Sequence, residues 1–315
     1  MVVRLAVNVV RFIVTFFVAT VAVFALMRAI PGDPAQISLG VNASPELLAQ
    51  TRREFGTDRP LIAQYFDWVS GLPQGHFGVS FVTRRDISDM IADRVQVSLI
   101  LVILSMIVAL LIAVPFGTLA AVRHRRTSGI LISGISQLGV AIPGFLAGIM
   151  LVVVFAVGLG WLPANGWTPP GQDFGDFASR IVLPVVALAS VQGAILTRYV
   201  RSAVLEVMSE DYLRTARAKG LGKLEALVRH GLRNASIPVL TVTSIQLAAL
   251  IIGAVVVERV FVIPGLGSML LDAVGNRDML SVQSVVMVLV AITLIINLIV
   301  DTLYTVLDPR IRKQA

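Results

Sequence analysis

The chain has 315 residues, a formal net charge of +7, 56% hydrophobic and only 14% charged residues, and a mean hydropathy of +0.86. Soluble domains carry about 25% charged residues, so this composition excludes an ordinary soluble domain and predicts an integral membrane protein. The basic residues fall in short blocks beside apolar runs, which marks topology and excludes a nucleic-acid-binding face, and the lack of cysteine excludes disulfides and thiolate chemistry.

In chain order, six apolar runs are long enough to cross a hydrocarbon core of about 30 Å: 12–30, 97–122, 130–158, 181–200, 237–257 and 283–304. They predict an all-α polytopic membrane protein with six transmembrane helices. The organisation that follows is an N-terminal tail and first span (1–30), a helical lobe (31–95), and a core of five further spans (96–315) that includes the connection 201–236. Arg4 and Arg11 precede the first run, but no small-x-small cleavage site follows it, so it is expected to stay as an anchor. Lys and Arg accumulate at the N-terminus, in RHRRTSG at 123–129, in the connection after the fourth span and in the tail DPRIRKQA. Both termini are therefore expected in the cytoplasm and the lobe outside, since a connection as long as 31–95 translocates largely regardless of its arginines.

Within the lobe, Ser44-Pro45-Glu46 predicts a capped helix closed by Gly56. Pro60 opens a second, with Leu61, Ile62, Tyr65, Phe66 and Val69 on an apolar face that needs cover and Trp68 at its edge. Asp86 caps a third, with Ile87, Met90, Ile91 and Val95 on one stripe. Pro115, Pro143 and Pro184 lie inside spans and each removes a backbone hydrogen bond, which predicts kinked or interrupted helices.

The span centres carry no ionisable residue, whereas ion-coupled carriers usually hold one there despite a cost of about 2.5 kcal/mol or more. They do carry Gln137, Gln192, Gln246 and Asn297, candidates either for bonds between helices or for the wall of a translocation path. His76, His124 and His230 lack ligand spacing, so no metal site is expected. No phosphate-binding G-x-x-x-x-G-K-[ST] loop is present, because Leu224 follows Gly222-Lys223 and Arg217 stands where the first glycine belongs. If transport is driven, energy must arrive from another subunit.

The connection from Arg198 to Arg233 holds eight Lys or Arg against four acids. Ser209 before Glu210 and Asp211 reads as an N-cap, the helix runs to Lys219, and Gly220 suits a left-handed stop. A second helix from about Lys223 to Arg233 presents Leu224, Leu227, Val228 and Leu232 before Pro238 begins the fifth span. Two short helices meeting at a glycine make an elbow, and its leucine stripe points to a cytoplasmic partner.

The elbow resembles the cytoplasmic loop of binding-protein-dependent ABC importer permeases, of general form E-A-A-x-x-x-G. The corresponding residues are Arg214, Thr215, Ala216, Arg217, Ala218, Lys219 and Gly220, and the departure at the first two positions is similar to the peptide-importer branch. RAKGL at 217–221, HGLRNASIP at 230–238, IPGDP at 30–34, FGTDRPLIAQYFDWVSGLPQGHFGVSF at 55–81, AIPGF at 141–145, GWLPANG at 160–166, ERVFVIPGLG at 258–267 and DPRIR at 308–312 extend the resemblance along almost the whole chain. It implies a multi-pass subunit of a bacterial or archaeal plasma membrane, paired with a second, similar permease, two cytoplasmic ATPases and an extracytoplasmic substrate-binding protein. The chain itself would be no enzyme and hold no cofactor, with ATP and Mg on the ATPase subunits. The implied ATPase contact is Tyr212, Leu213, Arg214, Thr215, Ala216, Arg217, Ala218, Lys219, Gly220 and Leu221, with Ala216 and Gly220 at its centre. Peptides are the expected cargo. Nickel chelates or glutathione are alternatives within the branch, and an ATP-independent channel or carrier, or a membrane scaffold that moves nothing, are alternatives from other classes.

Overall fold

The structure is a computed structural model that describes residues 2–40 and 43–307, without the side chains of residues 2–5, 301 and 303–307. The basic tail and its DPRIR segment therefore lie outside the described residues. The described chain is helical, with one isolated β-bridge between Val79 and Asp86. Five helices are long and apolar enough to cross a membrane, or six if one bent pair counts as a single span. The chain divides into two compact units, one built on Leu99–Ile263 with the end of the last helix, the other on Ala6–Ser98 and Pro264–Ile295.

The core of the first unit is α8 (Phe174–Ser209), against which α6 (Thr127–Ala141), α7 (Gly144–Leu151) and α11 (Leu232–Val260) pack. Ile181, Val185, Leu188, Gln192, Leu196, Val200, Val204 and Val207 are buried along α8 at steps of three or four residues, the spacing that puts them on one stripe. Small residues permit the close approaches. A Cβ at Gly117 of α5 (Ile87–Val122) would stand 2.8 Å from the Thr197 carbonyl oxygen, and one at Gly139 would stand 2.9 Å from the Ala194 methyl. Such contacts drive association where lipid removes the hydrophobic incentive.

Of the three prolines, only Pro143 interrupts. Ile142 is extended (ψ 120°), as a residue before proline prefers, and the two halves of the expected third span meet at 99°. The apolar run 130–158 is thus interrupted at Pro143, as a proline inside a span predicts; α6 is followed by α7, whose last turns (Val152–Gly158) widen to i→i+5 bonding. Pro115 and Pro184 sit inside uninterrupted helices.

In the second unit, α1 (Val2–Ala29) begins ten residues earlier than the apolar run, and the lobe contributes α2 (Pro34–Leu39), α3 (Pro45–Phe55) and α4 (Leu61–Gly71). Ser44 accepts from the Leu47 N–H and Gly56 closes α3 at φ 65°, as the sequence predicts. Asp86 accepts from the Ser88 N–H, but the helix it caps does not stop before the second span; it is the first part of the 36-residue α5. Its Ile87 and Ile91 meet Leu266 and Met269 of α12 (Leu266–Gly275) and Val285 of α13 (Met279–Leu307) in one cluster. The expected face of α4 is rotated: Trp68 is buried on Phe24 and Met287 with Tyr65 and Val69 beside it, while Leu61, Ile62 and Phe66 are exposed. Asp278, buried ahead of α13, accepts from the Ser80 hydroxyl at 2.5 Å, the Ser281 hydroxyl at 2.6 Å and the Phe81 N–H at 3.3 Å, and so fastens the 77–86 loop.

Candidate coupling elbow and intramembrane polar residues

The elbow joins the two longest-packed helices of the first unit. Helix α8 ends at Ser209, whose hydroxyl turns back to the Glu206 carbonyl, so the expected cap shifts by one residue: Glu210, extended at ψ 143°, precedes α9 (Asp211–Ala218) and caps with its backbone alone. Lys219 closes α9, and Gly220 (φ +97°) adopts a conformation that side-chain-bearing residues rarely reach. A Cβ there would meet nothing within 4 Å, so backbone strain rather than crowding constrains the position.

After Gly222 the chain is helical again through α10 (Lys223–Ala226), a widened stretch (Leu227–Gly231) and α11. The expected second elbow helix is thus not separate from the fifth span; Lys223–Val260 is one 38-residue rod with Pro238 inside it. Force on Lys223–Gly231 reaches the membrane without crossing a loop.

The inside of the elbow is small and tight. Leu213, Ala216, Ala226 and Leu227 are buried, and a Cβ at Gly231 would lie 2.7 Å from Leu227, 3.1 Å from Val207 and 3.3 Å from Leu213. The absent side chain at Gly231 lets α8, α9 and the widened stretch meet; sequence reasoning missed it, although a glycine next to His230 inside a helical pattern was the available signal. The Lys223 ammonium donates to the Val122 carbonyl at 3.2 Å, satisfying an oxygen at the end of α5, where a helix carries partial negative charge. Asn234 donates to the Tyr212 hydroxyl at 2.9 Å, and Arg214–Asp211 and Arg229–Glu225 pair on the surface.

The outside is basic with an apolar strip. Tyr212, Arg214, Thr215, Arg217, Ala218, Lys219 and Gly220 are exposed, Leu221 is half-buried, and Leu224 and Val228 are each 56% exposed. The leucine stripe therefore divides: Leu227 seals the elbow while Leu224 and Val228 remain available to a partner. Ala216, placed at the centre of the expected contact, and Leu213 face inward, so they act as spacers within this chain.

The four intramembrane polar residues all belong to the first unit, on different helices: Gln137 on α6, Gln192 on α8, Gln246 on α11 and Asn297 on α13. Gln137 is exposed, Gln246 and Asn297 are half-buried, and Gln192 is buried with its Oε1 lacking a hydrogen-bond partner. A buried amide oxygen without a donor costs about 1–3 kcal/mol, a penalty tolerated where function or a passing ligand uses it. Glu258, one residue past the expected fifth span, is 1% exposed in the last turn of α11. At that end of the unit, Gly166 donates to the Phe261 carbonyl at 2.9 Å, and Arg180 joins Asp176 at 2.8 Å and the Asn165 carbonyl at 2.8 Å. Thirty-six residues of α8, about 54 Å at 1.5 Å per residue, separate this end from the elbow.

Comparison with known proteins agrees along the whole chain. Residues 113–313 match the family model of the binding-protein-dependent transport system inner membrane component, and residues 1–102 match the N-terminal model of such membrane components. The glutathione transport system permease protein GsiC of Escherichia coli K12 is 39% identical over 298 residues, 95% of each chain. The GsiC protein of Shigella dysenteriae is equally similar, and a probable peptide ABC transporter permease, y4tP of Sinorhizobium fredii, is 38% identical over 92% of this chain and 93% of its own. With six runs of spanning character, an elbow between two of them and matches that cover both halves, the chain belongs to the family of binding-protein-dependent transport system inner membrane components, multi-pass proteins of the bacterial plasma membrane.

Proposed function

We propose that this chain is the permease subunit of an ATP-driven importer for small peptides or glutathione, receiving substrate from an extracytoplasmic binding protein and working with a second permease and two cytoplasmic ATPases. The carrying observation is the elbow, whose exposed Leu224–Val228 strip lies beside the basic crest of α9 on a helix that continues without a break into α11. Both termini and the elbow lie in the cytoplasm on this reading, and the lobe outside. ATP and Mg stay on the ATPase subunits, so the chain is no enzyme. The substrate class is supported by the relatives named for glutathione and for peptides; glutathione is itself a short peptide, so one pathway suits both.

Switching a transporter from 1:99 to 99:1 between two states takes about 5.5 kcal/mol of differential binding. Two short docking helices on two permeases, each burying an apolar strip against its ATPase, supply that more readily than one. In the membrane, Gln192, with its unsatisfied carbonyl oxygen, is the first candidate for substrate contact, followed by Gln246, Asn297 and Gln137.

The test is uptake after deletion of the gene, comparing glutathione, di- and oligopeptides and nickel chelates side by side. Loss of glutathione or peptide uptake, restored by the wild-type gene but not by a Leu224→Asp copy, is the expected result. Uptake unchanged by deletion, or flux through the purified chain in vesicles without ATPase subunits, contradicts it.

A further inference from the structure

The second unit holds a cavity of about 380 Å³ between the end of α1, α3, α4 and the 76–81 loop, within the usual size range of small-molecule sites. Three polar atoms in its walls are buried and lack a hydrogen-bond partner: Arg28 Nε, Trp68 Nε1 and Gln64 Oε1. Trp68 is only 8% exposed. The Gln64 amide is oriented, because its nitrogen donates to the Thr57 and Arg59 carbonyls at 3.3 and 2.7 Å, which leaves its oxygen free. Arg28 and Trp68 flank one ring: the Arg28 guanidinium carbon lies 5.2 Å from the Phe24 centroid, and Trp68 stacks on Phe24 at 6.2 Å.

The cavity's charge is unbalanced. Its acids, Asp67 and Glu54, pair with Arg59 at 2.8 Å and Arg84 at 3.6 Å. Among the described residues Arg28 and Arg53 have no acidic partner. Two donors, one of them cationic, select an anionic oxygen, and a single acceptor selects a hydroxyl or ammonium beside it.

Depth identifies the source. The apolar stretch Ala6–Ala29 is 24 residues, about 36 Å long, against a hydrocarbon core of about 30 Å, which sets Arg28 at headgroup level. Trp68, stacked on Phe24 one turn from Arg28, belongs to the aromatic layer typical of that depth, and Tyr65 reaches deeper to share a 2.9 Å hydrogen bond with Thr20 of α1. The same bond puts α4 alongside α1 eight residues below Arg28, where the exposed Leu61, Ile62 and Phe66 suit acyl chains. We propose that this cavity is a binding site for the phosphate of a membrane phospholipid, held by Arg28 and the Trp68 indole N–H, with a headgroup hydroxyl or ammonium on the Gln64 oxygen.

The proposal is independent of the transport reading and is tested by native mass spectrometry of the intact transporter complex, delipidated and titrated with phosphatidylglycerol, phosphatidylcholine or inorganic phosphate. Phosphatidylglycerol is expected to be retained over phosphatidylcholine, whose headgroup lacks a donor for Gln64. Trp68→Phe, which keeps the ring and removes the N–H, and Arg28→Gln are each expected to weaken retention about tenfold. Inorganic phosphate bound alone with the same variant sensitivity would uphold the oxyanion site and make a dissolved anion its source. Phospholipid retention equal in the wild type and both variants, with no phosphate bound, overturns the proposal.

Discussion

The elbow and the lobe are both made of short helices with one face buried, yet they are held by opposite means. The elbow's interior is aliphatic and minimal, Leu213, Ala216, Leu227 and the space left by Gly231, and its helix continues into a span. The lobe is held by aromatic contacts around Phe24, Tyr65 edge-on and Trp68 stacked, and by a buried carboxylate, Asp278, that ties a loop through Ser80 and Phe81 to Ser281 of α13. An aliphatic contact is non-directional and permits sliding, whereas a hydrogen-bonded carboxylate fixes one geometry. The difference teaches that two regions can share helix length and apolar content and still be told apart by what fills their interiors.

The sharpest break of this comparison is within the leucine stripe itself. Leu227→Asp buries a carboxylate at a fully enclosed position and is expected to cost more than 4 kcal/mol, read as loss of the protein from membranes. Leu224→Asp, three residues away and 56% exposed, is expected to shift stability by less than about 0.5 kcal/mol while abolishing ATPase-coupled uptake. On the lobe side, Asp278→Ala strands two hydroxyls and two N–H groups and is expected to destabilise by about 3 kcal/mol, measured as a lowered Tm of the purified complex. Gly220→Val forces a β-branched residue to φ +97° and is expected to store about 1–3 kcal/mol of local strain, with membrane insertion normal and transport lost.

The smallest effect concerns Asp86, whose carboxylate is held below its ordinary pKa by hydrogen bonds from Ser88. A depressed folded-state pKa contributes stability above the unfolded value near 3.9, and that contribution fades as pH falls through the lower folded value. Asp86→Ala is expected to lower Tm only slightly at neutral pH, because solvent screens this exposed carboxylate, and the gap between variant and wild type should narrow only below about pH 4.

Much of this was legible in the residues. Ser44, Pro45 and Gly56 delimit α3 as their chemistry requires, and the six apolar runs locate every helix of spanning character. Helix ends in lipid were not legible. Pro143 breaks its helix with a glycine following, whereas Pro115, Pro184 and Pro238 lose one hydrogen bond and the surrounding turns hold. The rotation of α4 was hidden because beside a membrane an apolar face has two destinations, lipid and core, and hydrophobicity does not distinguish them. Asp278 had a signal, an aspartate three residues before Ser281 ahead of an apolar run, which is the pattern of a helix cap. In the elbow, the family motif located the loop, but the separation of inward Ala216 and Leu227 from outward Leu224 and Val228 needed the packing of α8 against it.

The central claim, that an ATPase subunit docks on the outer face of the elbow, has a direct test because the chain contains no cysteine of its own. Single cysteines at Leu224 and Lys219, with Leu213→Cys as the buried control, are to be cross-linked in intact cells. The account predicts capture of a cytoplasmic ATPase subunit from positions 224 and 219, changing with nucleotide, and none from position 213. Labelling of position 224 by a membrane-impermeant reagent from outside, or no ATPase captured from either exposed position, would contradict it.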